Sequence, residues 1–143
     1  PFDVTAVGDT MLCRFNRRDF EMLLAEHPHI SERLLAMTMD ELDAAREWMI
    51  ILGRKTAREK IASFLAILAR RQAAQADRVV TSVKFTLPIT REAMADYLGL
   101  TIETVSRQLT ALKTAGLIEM VSLRGVAVPD LAALETAAGD SGG

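Results

Sequence analysis

The sequence predicts a mainly α fold with a small β component, on three observations. The run Tyr97-Leu98-Gly99-Leu100-Thr101-Ile102-Glu103-Thr104-Val105-Ser106-Arg107-Gln108-Leu109 reads as a tight turn followed by a short two-faced helix. Upstream, Leu35, Thr38, Leu42, Ala45, Met49 and Leu52 keep an a/d heptad spacing, the mark of one long helix. Downstream, Gly116 stops a helix, and β-prone runs flank a turn at Leu123-Arg124-Gly125.

Taken in order, residues 4–7 and 10–15 are β-prone around the turn signal Gly8-Asp9 and read as a hairpin. A short helix is expected from about Arg17 to Glu26, ended by His27-Pro28 because the residue before proline leaves helical geometry. Ser31 is read as the cap of the long helix, which runs to about Leu52. Leu34, Met37, Ile50 and Ile51 lie off the heptad seam, so this helix has a second apolar surface to bury. One face against a second chain and the other against its own domain satisfies both; a fully buried core helix of a monomer is the alternative.

Gly53 interrupts the pattern, and Thr56 caps a helix over about 57–74 with Ile61, Leu65 and Leu68 as its apolar stripe. Residues 73–82 read as a loop. Thr90 caps a helix from Arg91 to Leu98, Gly99 supplies the turn, and Thr101 caps a helix to about Thr114. Leu117 to Val121 and Val126 to Val128 form a two-stranded wing. Residues 130–137 add a last helical turn, and 139–143 read as a flexible tail.

Glu103, Ser106, Arg107 and Thr110 share one face of their helix, and Ile102, Val105, Leu109 and Leu112 take the apolar face. A helix packed on one side and polar on the other suits the DNA major groove. Arg107 can donate two hydrogen bonds to guanine O6 and N7, worth about 1–3 kcal/mol of discrimination. Glu103 can accept from a cytosine amine and also hold Arg107. Ser106 lets the helix lie close and touch a thymine methyl. The plain alternative is an exposed Glu103–Arg107 ion pair worth about 0.2–0.5 kcal/mol. Arg91, Thr101, Thr104, Thr110, Lys113 and Arg124 are the expected phosphate contacts, which position a protein without reading sequence.

The net charge of -2 does not itself suggest nucleic acid, but its distribution is uneven. Asp19 to Glu47 holds eight acidic residues against Arg33 and Arg46, while Arg54 to Arg71 holds six basic residues against Glu59. That asymmetry fits a regulatory or dimerising part joined to a DNA-facing part, or simply two solvated helical faces of opposite sign.

Cys13 stands alone, which excludes an intrachain disulfide framework and fits a reducing cytoplasm. There is no signal-peptide pattern and no apolar run near the ~20 residues a membrane span needs, so no membrane role and a cytoplasmic location are expected. His27-Pro28-His29 lacks metal-ligand company, and the seven methionines are scattered. No Gly-rich phosphate loop or Ser/His/Asp arrangement can be placed, so the sequence is read as non-enzymatic. Pro1-Phe2-Asp3 lacks an initiator methionine, and the sequence reads as a fragment of a longer protein.

The segment from Tyr97 to Arg107 resembles the recognition motif of CRP/FNR-type transcription regulators. Leu52-Gly53-Arg54-Lys55-Thr56-Ala57-Arg58-Glu59-Lys60-Ile61-Ala62-Ser63-Phe64-Leu65 resembles that family's hinge and following helix. Members resembling the cyclic AMP receptor carry glycine where this chain has Ser106, and a Thr-Ser pair where it has Ala45-Arg46. Both departures point to the FNR/FixK branch.

The resemblance implies four segments: 1–29, the end of a sensory β-roll with a short helix; 30–53, a dimerisation helix; 54–138, a winged helix-turn-helix; and 139–143, the tail. It also implies a homodimer on a palindrome like TTGAT-N4-ATCAA, contact with RNA polymerase, transcription activation and oxygen- or redox-responsive control. Cys13 falls where FNR-type sensors carry one ligand of a [4Fe–4S] cluster. The resemblance thus offers Cys13 a ligand role in a full-length parent, with a small buried hydrophobe on a strand as the alternative, and implies no cofactor in this fragment. A winged-helix protein-interaction module and a small-molecule sensor without base readout are the rival readings.

Overall fold

The computed structural model describes residues 4, 6, 9–74 and 82–139. It divides into two units, Pro1–Met49 and Ile50–Gly143. The fold is mainly helical with a small sheet, as the sequence predicts.

In the first unit, α1 (Arg17–Glu26) begins at Asn16, whose side chain accepts from the Asp19 backbone N–H. Helix α2 (Pro28–Arg54) runs across both units and starts three residues before the expected Ser31 cap. Proline suits a first helical position, since its missing N–H would be unpaired there anyway. None of the described residues up to Met49 is buried.

The expected hairpin is a correction. Residues 9–16 form no strand and are exposed, while residues 5, 7 and 8 lie outside the described ones. An isolated two-stranded hairpin is at best marginal, so β propensity alone cannot hold one.

The second unit is built on α3 (Ala57–Ala74). Thr56 and Glu59 close a capping box: the Thr56 N–H donates to Glu59 Oε2 at 2.8 Å, and the Glu59 N–H reaches Thr56 Oγ1 at 3.4 Å. Ile61, Ala62, Leu65, Ala66 and Ala69 are buried, forming a broad small-and-large face against β1 (Val83–Thr86), α5 (Ile102–Thr114) and α6 (Leu131–Ala137). Ser63 is also buried, and Lys55 Nζ donates to its hydroxyl at 2.8 Å. Lys60 Nζ reaches the Leu98 carbonyl at 3.3 Å, placing a cation at the C-terminal end of the next helix.

The wing contains three strands rather than two. The order is β1 (Val83–Thr86), β3 (Gly125–Val128), β2 (Glu119–Met120), antiparallel throughout, with Val83 opposite Val128 and Met120 opposite Val126. Central β3 is buried at every position, whereas β1 alternates. The second wing strand is shorter than the expected 117–121. Most of the expected loop (75–81) and of the tail (140–143) falls outside the described residues.

Helix α4 (Arg91–Leu98) ends at Gly99, α5 (Ile102–Thr114) follows, and α6 (Leu131–Ala137) is capped by Asp130. Gly99 has φ +61°, and a Cβ there would meet nothing within 4 Å. Any cost of Gly99→Ala is therefore conformational. A loss of about 1–2 kcal/mol is expected by chemical denaturation, with an unchanged denaturant slope.

The backbone and hydroxyl hydrogen bonds from Thr56 hold the Glu59 carboxyl below the usual range, with Lys55 adding a smaller pull. The unfolded chain therefore binds this proton at higher pH than the folded one. The resulting stability is present above the ordinary glutamate range and is lost as pH falls through the lowered pKa. Melting curves of the chain and of Glu59→Gln should stay apart at neutral pH and converge as pH falls below the ordinary glutamate range.

Candidate nucleic-acid interface

Helices α4 and α5 meet at the Gly99 turn. The Thr90 hydroxyl accepts from the Ala93 N–H at 3.2 Å, and Thr101 accepts from Thr104 N–H at 3.2 Å. Beneath them Met94, Ala95, Leu98, Val105, Leu109 and Leu112 are buried. That packing fixes the rotation of α5 and leaves Glu103 and Arg107 exposed, with Ser106 half-buried beside them. Ile102, expected on the apolar face, is 44% exposed. As the first helical residue, it lies a full turn ahead of the core.

Arg107 does not hold Glu103, the partner that four-residue spacing suggests. Its Nη2 donates to Thr104 Oγ1 at 3.4 Å, and the Thr104 hydroxyl lies 3.0 Å from that of Thr101. Thr110 is exposed on the same helix, but its hydroxyl donates to the Ser106 carbonyl at 2.9 Å. Lys113 is exposed near the end of the helix.

Arg124 is drawn into the fold. Its Nε donates to the Leu87 carbonyl at 3.1 Å and its Nη2 to the Pro88 carbonyl at 2.8 Å. The Leu87 N–H donates to the Arg124 carbonyl at 2.8 Å, closing the clamp from the other side. The wing turn is thereby fastened to the segment that leads into Thr90. Thr90, Arg91, Leu123 and Arg124 line one shallow groove, and Arg91 Nε is buried there without a hydrogen-bond partner. Sequence reasoning missed this clamp, because residues 36 and 37 positions apart carry no local signal. The two basic residues and the adjacent turn were the only hint.

Residues 59–137, from the first turn of α3 through α6, match the model of the Crp-like helix-turn-helix domain. The chain belongs to the CRP/FNR family of transcription regulators. Within it, similarity is strong to the transcriptional activator protein FnrL of Cereibacter sphaeroides: 59% identity over 140 residues, covering 97% of this chain and 56% of that protein. The nitrogen fixation regulation protein FixK of Azorhizobium caulinodans is 42% identical over 133 residues, covering 93% and 53%. These relatives place the chain in the FNR/FixK branch.

The solved structure of FixK2 from Bradyrhizobium japonicum superimposes with a TM-score of 0.70 at 36% identity, covering 84% of this chain and 57% of that one. The chain spans about half the length of the curated relatives it matches. Both relatives are named as regulators, and neither as an enzyme.

The heptad positions of α2 are also placed. Leu35 is 64% exposed, Leu42 44%, Met49 65% and Leu52 42%, with Thr38 and Ala45 exposed between them. Of the second apolar surface, Ile51 is buried, Leu34 is half-buried, and Met37 and Ile50 are exposed. Among the described residues no helix is long and apolar enough to cross a membrane.

Cys13 is a free, exposed thiol outside regular structure. A [4Fe–4S] cluster takes four thiolates, and this sequence holds one cysteine, so its own residues do not make up a cluster site.

Proposed function

We propose that this chain is the dimerising and DNA-reading part of an activator that recognises an FNR-like palindrome, TTGAT-N4-ATCAA, under oxygen- or redox-responsive control in the cytoplasm. The carrying observation is the orientation of α5: Val105, Leu109 and Leu112 are buried while Glu103 and Arg107 face out with Ser106 between them. Arg107 reads guanine, Glu103 accepts from the cytosine amine, and Ser106 allows close approach to a thymine methyl.

Thr101, Thr110, Lys113, Arg91 and Arg124 set the helix on the backbone through phosphates. Arg91 and Arg124 act beside the same groove, where Arg124 also holds the wing. The exposed apolar seam Leu35, Thr38, Leu42, Ala45, Met49 and Leu52 pairs with its copy in a second chain. Two recognition helices then enter successive major grooves one turn of DNA apart. RNA polymerase is the partner through which such a dimer activates transcription. The oxygen-responsive part of this reading rests on the FNR/FixK resemblance. In a full-length parent, Cys13 would be one of four cluster thiolates.

Duplex binding tests the reading. Affinity is measured at several salt concentrations for the palindrome and for a duplex with both guanines changed. Tighter binding to the palindrome at every salt supports it, and equal affinity for the two duplexes would sink it. The seam has its own check: Leu42→Lys places a charge in the middle of the paired surface. Sedimentation should show a shift from dimer to monomer and a loss of palindrome binding, with the melting of the winged helix unchanged.

A further inference from the structure

We infer that Thr104 is a positioning residue for Arg107, holding the guanidinium for base reading rather than serving as a phosphate contact. The inference rests on the proposed base-reading role of α5. A guanidinium carries donors only, so the 3.4 Å contact between Arg107 Nη2 and Thr104 Oγ1 makes the hydroxyl the acceptor. A hydroxyl that accepts from a cation is polarised to donate its own hydrogen, and the Thr101 hydroxyl lies 3.0 Å away. Thr101 is the N-cap of α5 and already accepts the Thr104 N–H at 3.2 Å. The chain thus runs from a side chain with many rotatable bonds to a β-branched residue and on to a fixed cap.

Two consequences follow for recognition. Arg107 is pre-oriented along its helix, so less freedom is lost when its fork meets a base. Glu103 is left uncommitted by Arg107, so its carboxylate remains an acceptor for the cytosine amine. The chain's polarity also leaves the Thr101 hydroxyl hydrogen as its free donor, which suits Thr101 to the phosphate role expected of both threonines.

The test measures the preference for the palindrome over the guanine-changed duplex in the chain and in Thr104→Val, Thr104→Ser, Arg107→Ala and the double variant Thr104→Val/Arg107→Ala. The preference is a ratio of two affinities of one sample, so partial unfolding cancels. Valine keeps the shape without the hydroxyl and should lower the preference about 2- to 10-fold, the range for loss of one hydrogen bond. Serine should retain the preference, and valine should lower it no further once Arg107 is gone.

If Thr104→Val weakens both duplexes by one common factor, or still lowers the preference in the Arg107→Ala background, the positioning role is overturned. If Arg107→Ala itself leaves the preference intact, the base-reading proposal fails and this one with it.

Discussion

Arg107→Ala is expected to weaken binding to the palindrome by about 1–3 kcal/mol for each half-site, which is roughly 5- to 150-fold per recognition helix. Arg107 stands on the exposed face of α5, opposite the buried Val105, Leu109 and Leu112. Losing its side chain therefore leaves the core untouched. Affinity for a duplex with both guanines changed should fall far less, because the phosphate contacts survive. A titration of both duplexes at one salt concentration reads the difference. A loss shared equally by the two would mean that Arg107 supplies charge and not readout. Lysine at this position should recover only part of the effect, since its point charge cannot make the two-pronged contact.

Leu112→Ala is expected to cost about 2–5 kcal/mol of stability, by the transfer of lost methyl groups and the cavity left behind. Leu112 is fully buried on the inner face of α5, which packs against α3 and α4. A domain of this size is held by about 5–15 kcal/mol in all, so this one substitution consumes a large share. Urea unfolding followed by helical signal should show a lower midpoint at constant slope. The same variant, studied where it remains folded, should retain the palindrome preference, because the reading face is untouched. A change of preference at full folding would show that the core sets more than the position of α5.

Much of the architecture was legible because its signals are local. Thr56, Thr90 and Thr101, read as caps, each accept a free N–H at a helix start, and Gly99 and Gly116 take the positive φ that ends the helices before them. The departures have equally plain causes. Val83-Lys84-Phe85-Thr86 alternates as a strand should, but four residues become a strand only by pairing with β3, whose Gly125–Val128 lie about 40 positions later. Residues 9–16 have the propensity without any described partner. Ser31 looked like a cap, yet Pro28 begins the helix, since proline fits a first turn as well as it ends a previous one.

The proposed reading face divides in the same way. Periodicity alone separated Glu103, Ser106 and Arg107 from Val105, Leu109 and Leu112. It could not decide Arg107's partner, because offsets of three and four residues both bring side chains together on a helix. The structure selects Thr104 over Glu103. Arg124 is the larger difference, since its two carbonyl acceptors belong to residues 87 and 88.

The sequence by itself therefore determined the helices, the caps at Thr56, Thr90 and Thr101, the two-faced character of α5 and the apolar seam of α2, along with the family that these spell out. Each depends on neighbours within about one or two turns of chain, where spacing translates directly into geometry. Only the tertiary structure decided that the wing has three strands, that Arg124 ties it to the start of α4, and that Arg107 leans on Thr104. The first two depend on pairing between distant residues. The third is a choice between neighbours of similar spacing, and side-chain geometry makes it.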